Sequence, residues 1–378
     1  MAASPSHGTP RDDNLAVSRQ AAGKLATDKP ATGPLPVGIV GTPNQTTRYL
    51  VQLLSGHPRV TLAHLSLPTH PPSTQPPPRL SPQWEALLQT LGLPDPALKA
   101  TARPDLTQCA AIFLNLPPGK AAEWVPALII PEDFDSSGAQ RIFDLSPDYR
   151  FSDLSLYQRC YQIERRDIAV AINTVYGLPE LFSDRIRPAQ LLGCPESAPT
   201  ASLLALAPLL KRGLIAPDSI LIDAKQGSEG TVLTSLNPLS YAATAEIEHI
   251  ANDLIGSEIL VQFTPHEIPT PCGLTLTLYA NLRDPGLVSE DLVTIYRTFY
   301  RDAPWIKILP VGQLPTAQPL LGTNHCHLGL AVDTRTQRTI VVATLDPYLK
   351  GQVGQAIQCL NLTQNWDERM GLPQFGYQ

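Results

Sequence analysis

From Leu35 onward, short apolar runs alternate with turns and with segments of helical periodicity. PVGIVG, ending at Gly41, reads as a buried strand. The turn Gly41 to Thr47 leads into a helix over Tyr49 to Leu54, and VTLAHLSL (Val60 to Leu67) supplies the next strand, which completes a βαβ unit. A helix around Trp84 to Leu91 and a parallel strand in AAIFLNLPPG (Ala110 to Gly119) continue the pattern. Residues 189–210 predict a strand over Gln190 to Leu192, a polar turn with two prolines, and a helix from near Thr200. That helix is apolar on nearly all sides over Ala201 to Lys211 and is therefore buried. From Glu258 to Leu282 the period changes to strand alternation, interrupted by Pro265, Pro269 and Pro271. A last helix, Tyr348 to Leu362, is expected to pack back on the first domain. Two segments carry no such pattern. Residues 1 to about 34 read as a disordered extension, and Thr69 to Pro82 as extended polyproline on the surface.

Composition narrows the class. The chain has 378 residues, enough for two or three domains, and its hydrophobic share of 43% is that of a globular protein. A net charge of −6 recommends neither nucleic acid nor an anionic membrane surface as a partner. No apolar run reaches the roughly 18 residues of a membrane span. The N-terminus lacks an apolar signal core, so a cytoplasmic location is expected. Six cysteines lie scattered without metal-ligand spacing, and they read as reduced thiols. The His325, Cys326 and His327 cluster invites a metal reading. Alternation along a strand places the two histidines on one face and the thiol on the other, so no metal site is expected.

Chemistry is expected in the turn before the buried helix, because free N–H groups at a helix N-terminus stabilise developing negative charge. Only Cys194 and Ser197 are available there as nucleophiles. The stretch GCPESAPTASLLALAPLL resembles the nucleophile turn of the N-acetyl-gamma-glutamyl-phosphate reductases, roughly NPGCYPTA followed by LALAPLL. Counting from YGLPEL (Tyr176 to Leu181) and back from Pro199-Thr200-Ala201 sets Ser197 on the family cysteine, Cys194 on the asparagine and Glu196 on the glycine. The resemblance runs from about residue 36 to 370. RIFDLSPDYRFSD (Arg141 to Asp153) is similar to VIDLSADFRLKD, and SILIDAKQGSEG (Ser219 to Gly230) to SIIVDAKSGVSGAG. By residue type alone, Asp144, Asp148 and Arg150 read as a salt-bridged strand end.

The resemblance implies an α/β protein with a Rossmann-type dinucleotide-binding domain (35–180 plus 346–378) and an α+β catalytic and dimerisation domain on a mixed sheet (181–345). It also implies homo-oligomerisation, an acyl-phosphate substrate and NADPH. In such chemistry a thiolate attacks the acyl phosphate, and the thioester accepts hydride to give an aldehyde. Position 197 holds a hydroxyl, which needs a dedicated base. The implied base positions hold Tyr241 and Ala243 instead of histidines, and the implied anion grip is Cys272. His249 is a solvated helix position by pattern, and His266 is an implied substrate contact. The resemblance carries cofactor contacts to Gly41, Thr46, Pro117, Gly119 and Pro347. Asn44 and Thr47 put Cβ atoms where it implies glycines beside the pyrophosphate. Two functions stay open: a reductase with impaired or lost chemistry, or a non-catalytic binding or regulatory relative that dimerises or pairs with an active reductase.

Overall fold

A computed structural model describes residues 33–67, 80–93, 105–129, 139–228, 234–235, 242–270 and 272–376. The expected N-terminal extension, nearly all of the proline-rich segment, and Tyr241 lie outside the described residues. From Pro34 onward the chain forms one compact unit.

The first sheet is built from β1 (Leu35–Gly41), β2 (Val60–Ser66), β3 (Ala111–Asn115), β4 (Arg141–Asp144), β5 (Val175–Tyr176) and β6 (Leu191–Gly193). Its order is β2-β1-β3-β4-β6-β5, and every pairing is parallel. The connecting helices are α1 (Gln45–Ser55), α2 (Pro82–Leu91), α3 (Lys120–Trp124), α4 (Leu154–Tyr161), α5 (Ile168–Ala171) and α6 (Pro179–Ile186). Sequential parallel strands require such crossovers, and α6 returns the chain into the same sheet. The sheet therefore extends to Gly193, past the boundary expected at residue 180.

After β6 the chain enters α7 (Ser197–Lys211), which starts three residues before the expected Thr200. The second sheet comes next, with β7 (Ile220–Gly227), β8 (Thr234–Ser235), β9 (Val261–Ile268), β10 (Leu274–Asn281), β11 (Ile306–Ile308), β12 (Cys326–Asp333) and β13 (Arg338–Leu345). Its order is β11-β12-β13-β10-β7-β9-β8, with parallel and antiparallel pairs mixed. Helices α8 (Ala242–Ile255) and α9 (Ser289–Phe299) accompany α7 against one face of this sheet. The other face carries the alternate residues Thr275, Thr277 and Tyr279 of β10, which are only half-buried.

Proline placement departs from the pattern reading at one strand. β9 runs straight through Pro265. Among the described residues its outer neighbour β8 pairs with Glu267 and His266 and not with Pro265. Pro208 sits inside α7, where it cannot donate to the carbonyl of Leu204. Tyr300 Oη donates to that oxygen at 2.7 Å, and Tyr296 Oη donates to the carbonyl of Ala205. The deletion of one backbone donor is answered by side chains of α9 and the residue just after it.

The chain ends by returning to the first sheet. A π-helical turn (Leu349–Val353) feeds α10 (Gly354–Thr363), whose residues are all buried. α10 packs on α6, and His57, just after α1, sits 3.0 Å from Asn361 Oδ1. Lys350, with a side chain 0% exposed, pairs with Glu180 of α6 at 2.7 Å and donates to Gln358 Oε1 at 2.8 Å. Removing one partner of a buried pair strands the other charge. Lys350→Met should therefore lower unfolding stability by roughly 3–5 kcal/mol in urea denaturation. A loss under about 1 kcal/mol, the range of an exposed pair, would show that Glu180 does not need this cation.

Candidate functional site

The strands of the first sheet point their C-terminal ends at a cleft of about 490 Å³, where open parallel sheets bind ligands. Each strand end delivers the residues just beyond it: Asn44 after β1, Asn115 and Leu116 at the end of β3, Leu145 and Ser146 after β4, and Glu196 and Ser197 after β6. The second sheet adds Gln226 of β7. The C-terminal return adds Pro347, Tyr348 and Gln352.

Ser197 opens α7 and is 7% exposed. Its Oγ donates to Gln226 Oε1 at 3.1 Å. The π-helical turn presses against it, since a Cβ on Gly351 would lie 2.7 Å from Ser197 Cβ. A carboxamide has no useful basicity, so the hydroxyl is held without being activated. Cys194, the alternative nucleophile, is fully buried, and burial together with the nearby Asp144 pushes its thiol well above the ordinary value. Cys272 sits beside Gly227, and burial, then Asp346, pushes it up to about 11. A thiol so raised stays protonated near neutral pH and has no forked donors for an anion.

None of the three histidine-related positions within the described residues lines the cleft. Ala243 is the second residue of α8 and carries no functional group. His266 lies on β9 with Nε2 3.1 Å from Asp223 Oδ1, a carboxylate shared with Lys225 Nζ at 2.8 Å. His249 is half-buried rather than fully solvated: its Nε2 meets Ser152 Oγ at 3.0 Å at an exposed position, and its ring stacks on Phe151.

The DLSPDYR segment does more than cap a strand with ion pairs. Asp144 accepts from Ser146 N and Oγ and from Tyr149 N, and its carboxyl rises to about 7 through burial and then Asp148. Asp148 accepts from Gly119 N at 2.7 Å and from Tyr157 Oη at 2.6 Å. Arg150 is the hub. Nε donates to Cys194 O at 3.0 Å and Nη2 to Leu145 O at 2.7 Å, which fixes the side chain to both strand ends. Nη1 lies 3.1 Å from Glu196 Oε1 and 3.6 Å from Glu246 Oε2. Burial opposes the guanidinium charge, but Glu196 and Glu246 outweigh it and hold the group above its ordinary value. Glu246 accepts from Tyr176 Oη at 2.7 Å, and burial raises it to about 7 against the pull of Arg150.

The cofactor positions separate. Thr46 and Pro347 line the cleft, and Thr46 Oγ1 donates to Gln352 Oε1 at 2.9 Å. Gly41 lies beneath it: a Cβ there would meet Thr47 Oγ1 at 2.6 Å, so this glycine serves strand-to-helix packing. Pro118 rather than Pro117 borders the cleft. Gly119 turns away with φ 84° to reach Asp148. Thr47 does not line the cleft: it is 0% exposed and accepts from Asn115 Nδ2 at 2.7 Å. Asn44 alone reaches the rim, where its Oδ1 caps α1 by accepting from Thr47 N. The amides of Gln45 and Thr46 have no acceptor among the described residues. An anionic dinucleotide backbone therefore still has a helix N-terminus to meet. The residues present fit a dinucleotide, with Asn44 as the one added side chain.

No group of three or more His, Cys, Asp or Glu that could hold a metal occurs among the described residues. No helix there is long and apolar enough to cross a membrane.

A parallel nucleotide-type sheet joined through a buried helix to a mixed sheet, with the cleft at their junction, defines the semialdehyde dehydrogenase class. Aspartate semialdehyde dehydrogenase II from Vibrio cholerae superposes with a TM-score of 0.60 at 13% identity, covering 88% of this chain and 99% of that one. The Candida albicans aspartate semialdehyde dehydrogenase solved with NADP gives 0.59 at 13%, again covering 88% and 99%. At such identities these likenesses establish the fold. Residues 36–189 match the family described as semialdehyde dehydrogenase, NAD binding domain, and residues 237–347 the one described as semialdehyde dehydrogenase, dimerisation domain. Within that class, the chain belongs to the N-acetyl-gamma-glutamyl-phosphate reductase family. It is 46% identical to the reductase of a Cyanothece species over 360 residues (91% of this chain, 98% of that protein). It is 44% identical to reductase 1 of a Nostoc species, with the same coverage, and 44% identical to the reductase of Gloeobacter violaceus.

Glu246 provides a pH signature. Its folded pKa near 7 lies above the ordinary 4.5, so the folded state holds a proton that the unfolded state has lost between those values. Its contribution to stability is complete below the unfolded value and is lost as pH rises toward 7. Glu246→Gln cannot ionise and should show a flatter profile. In urea midpoints measured at acidic and at neutral pH, the variant should gain on the parent at neutral pH, and a constant gap would contradict the assignment.

Proposed function

We propose that this chain is a reductase-family protein that keeps a dinucleotide cleft but whose acyl-phosphate chemistry is impaired or lost. The observation that carries this reading is the Ser197 hydroxyl, which donates to the neutral carboxamide of Gln226 and faces no base among the described residues. NADP(H), when bound, would supply hydride. Thr46, Pro347 and Tyr348, with the Gln45 and Thr46 amides, are the groups that would hold it. The acyl phosphate needs a nucleophile, a proton carrier and an anion grip. Ser197, Ala243 and Cys272 supply none of the three.

The retained scaffold supports a binding role alongside an active reductase or a second copy of this chain. The second sheet is where the dimerisation-domain match falls, and its uncovered face presents half-buried threonines and Tyr279. Assembly through that face, as a homo-oligomer, is part of the proposal.

The unmodified protein should turn over N-acetyl-gamma-glutamyl phosphate at least ~10²-fold more slowly than a cysteine-bearing relative, the low end of what a positioned base contributes. Ser197→Cys alone should not restore the rate, whereas NADPH should register in calorimetric titration of both proteins. Brisk turnover by the unmodified chain would falsify the loss of chemistry. Absence of any NADPH heat would remove the dinucleotide half of the reading.

A further inference from the structure

The cleft beside Ser197 has an acidic residue where the family pattern has a glycine, and that residue is not idle. Glu196 lines the cleft with its side chain 56% exposed, yet its Oε1 is 3.1 Å from both terminal nitrogens of a guanidinium that is itself 2% exposed. Arg150 does not depend on Glu196 for its position. Its Nε and one Nη2 hydrogen are spent on the carbonyls of Cys194 and Leu145, and Glu246 faces Nη1 from the opposite, buried side. What Glu196 covers is the remaining pair of N–H groups, at the end nearest the cleft. Arg150 itself lies behind Glu196, and no lysine or arginine lines the cleft among the described residues.

A buried guanidinium fixed by two carbonyls, with both terminal nitrogens on the one side chain that separates it from the cleft, is a preorganised receptor for a tetrahedral or planar anion once that side chain is removed. The geometry points to Glu196 as an intramolecular ligand that occupies this receptor, closing the Ser197 end of the cleft to anionic groups and making Glu196 its specificity-determining residue. The inference rests on the cleft being a ligand site, as proposed above, but not on a dinucleotide occupying it. A free carboxylate tethered one residue from Ser197 outcompetes a dissolved anion through its effective concentration. It also places a negative charge where an incoming anion would sit. The cleft of the unmodified protein therefore takes neutral or cationic groups at this end.

The test uses inorganic phosphate as probe on the full-length protein without nucleotide. Glu196→Ala should bind phosphate at least tenfold more tightly than the parent in calorimetric titration. In tens of millimolar phosphate its melting temperature should rise by about 2 °C or more over a chloride control, while the parent does not move. Glu196→Gln keeps an acceptor for Arg150 without the charge and should fall between them. A Glu196→Ala protein that melts cooperatively yet binds phosphate no better than the parent would overturn the inference. So would a parent that already binds phosphate as tightly as the variant. Adding Arg150→Lys, which keeps the charge but loses the forked donors, should reduce the gain in the Glu196→Ala background. An undiminished gain there would place the anion elsewhere and also defeat the assignment. NADPH binding is read separately, so failure of the dinucleotide reading leaves this outcome distinguishable.

Discussion

The structure depends on one constraint: α7 is buried from Ser197 through Leu210, and a helix so enclosed cannot send its unpaired polar groups to water. Most are answered from within the protein, although the Ser202 hydroxyl is buried without a hydrogen-bond partner among the described residues. At the middle, the carbonyl left over by Pro208 is met by Tyr300. At the start, the helix has no capping side chain, and its N-terminus is turned into the cleft where the strand ends of the first sheet and the π-helical turn converge. The packing that makes α7 stable thus also places residue 197 at the ligand face of the first sheet. The position of residue 197 is dictated by burial, independently of which side chain stands there.

Periodic features are the ones that can be read from the chain. Apolar runs with helices between them announce the parallel sheet, and continuous apolarity announces α7. Placement of Ser197 by counting from two flanking motifs brings it to the first residue of α7. Contacts between residues distant in sequence are not periodic and leave no such trace. Nothing local says that Thr47 tucks under Asn115, that Arg150 gathers Glu196 and Glu246, or that His249 docks on Phe151 and Ser152. Gln226 could have been noticed, because it stands at the serine of the family's DAKSG pattern. A long amide there reaches Ser197, which a short hydroxyl does not explain by itself. Pro265 misled in the other direction, since β9 continues through it with only the short β8 on its outer side.

The site as built is a cleft of amides. Asn44, Asn115, Gln226 and Gln352 line the junction of the two sheets, and their hydrogen bonds tie one element to another. Carboxamides both donate and accept, and they do not titrate, so the cleft is polar without being reactive. Of the carboxylates, only Glu196 reaches the cleft among the described residues, and the rest of the Arg150 cluster lies one layer below, where burial governs protonation.

The return of the chain to the first sheet has a consequence for how the protein is made. Strands β1 to β6 leave the ribosome long before residues 349–363 exist, yet that segment covers α6 and supplies the ammonium that neutralises Glu180. The amino-terminal half must therefore wait, partly open, for the final stretch of the chain, and vectorial synthesis cannot complete it as an independent unit. Fragments that stop before α10 would expose the surface it shields.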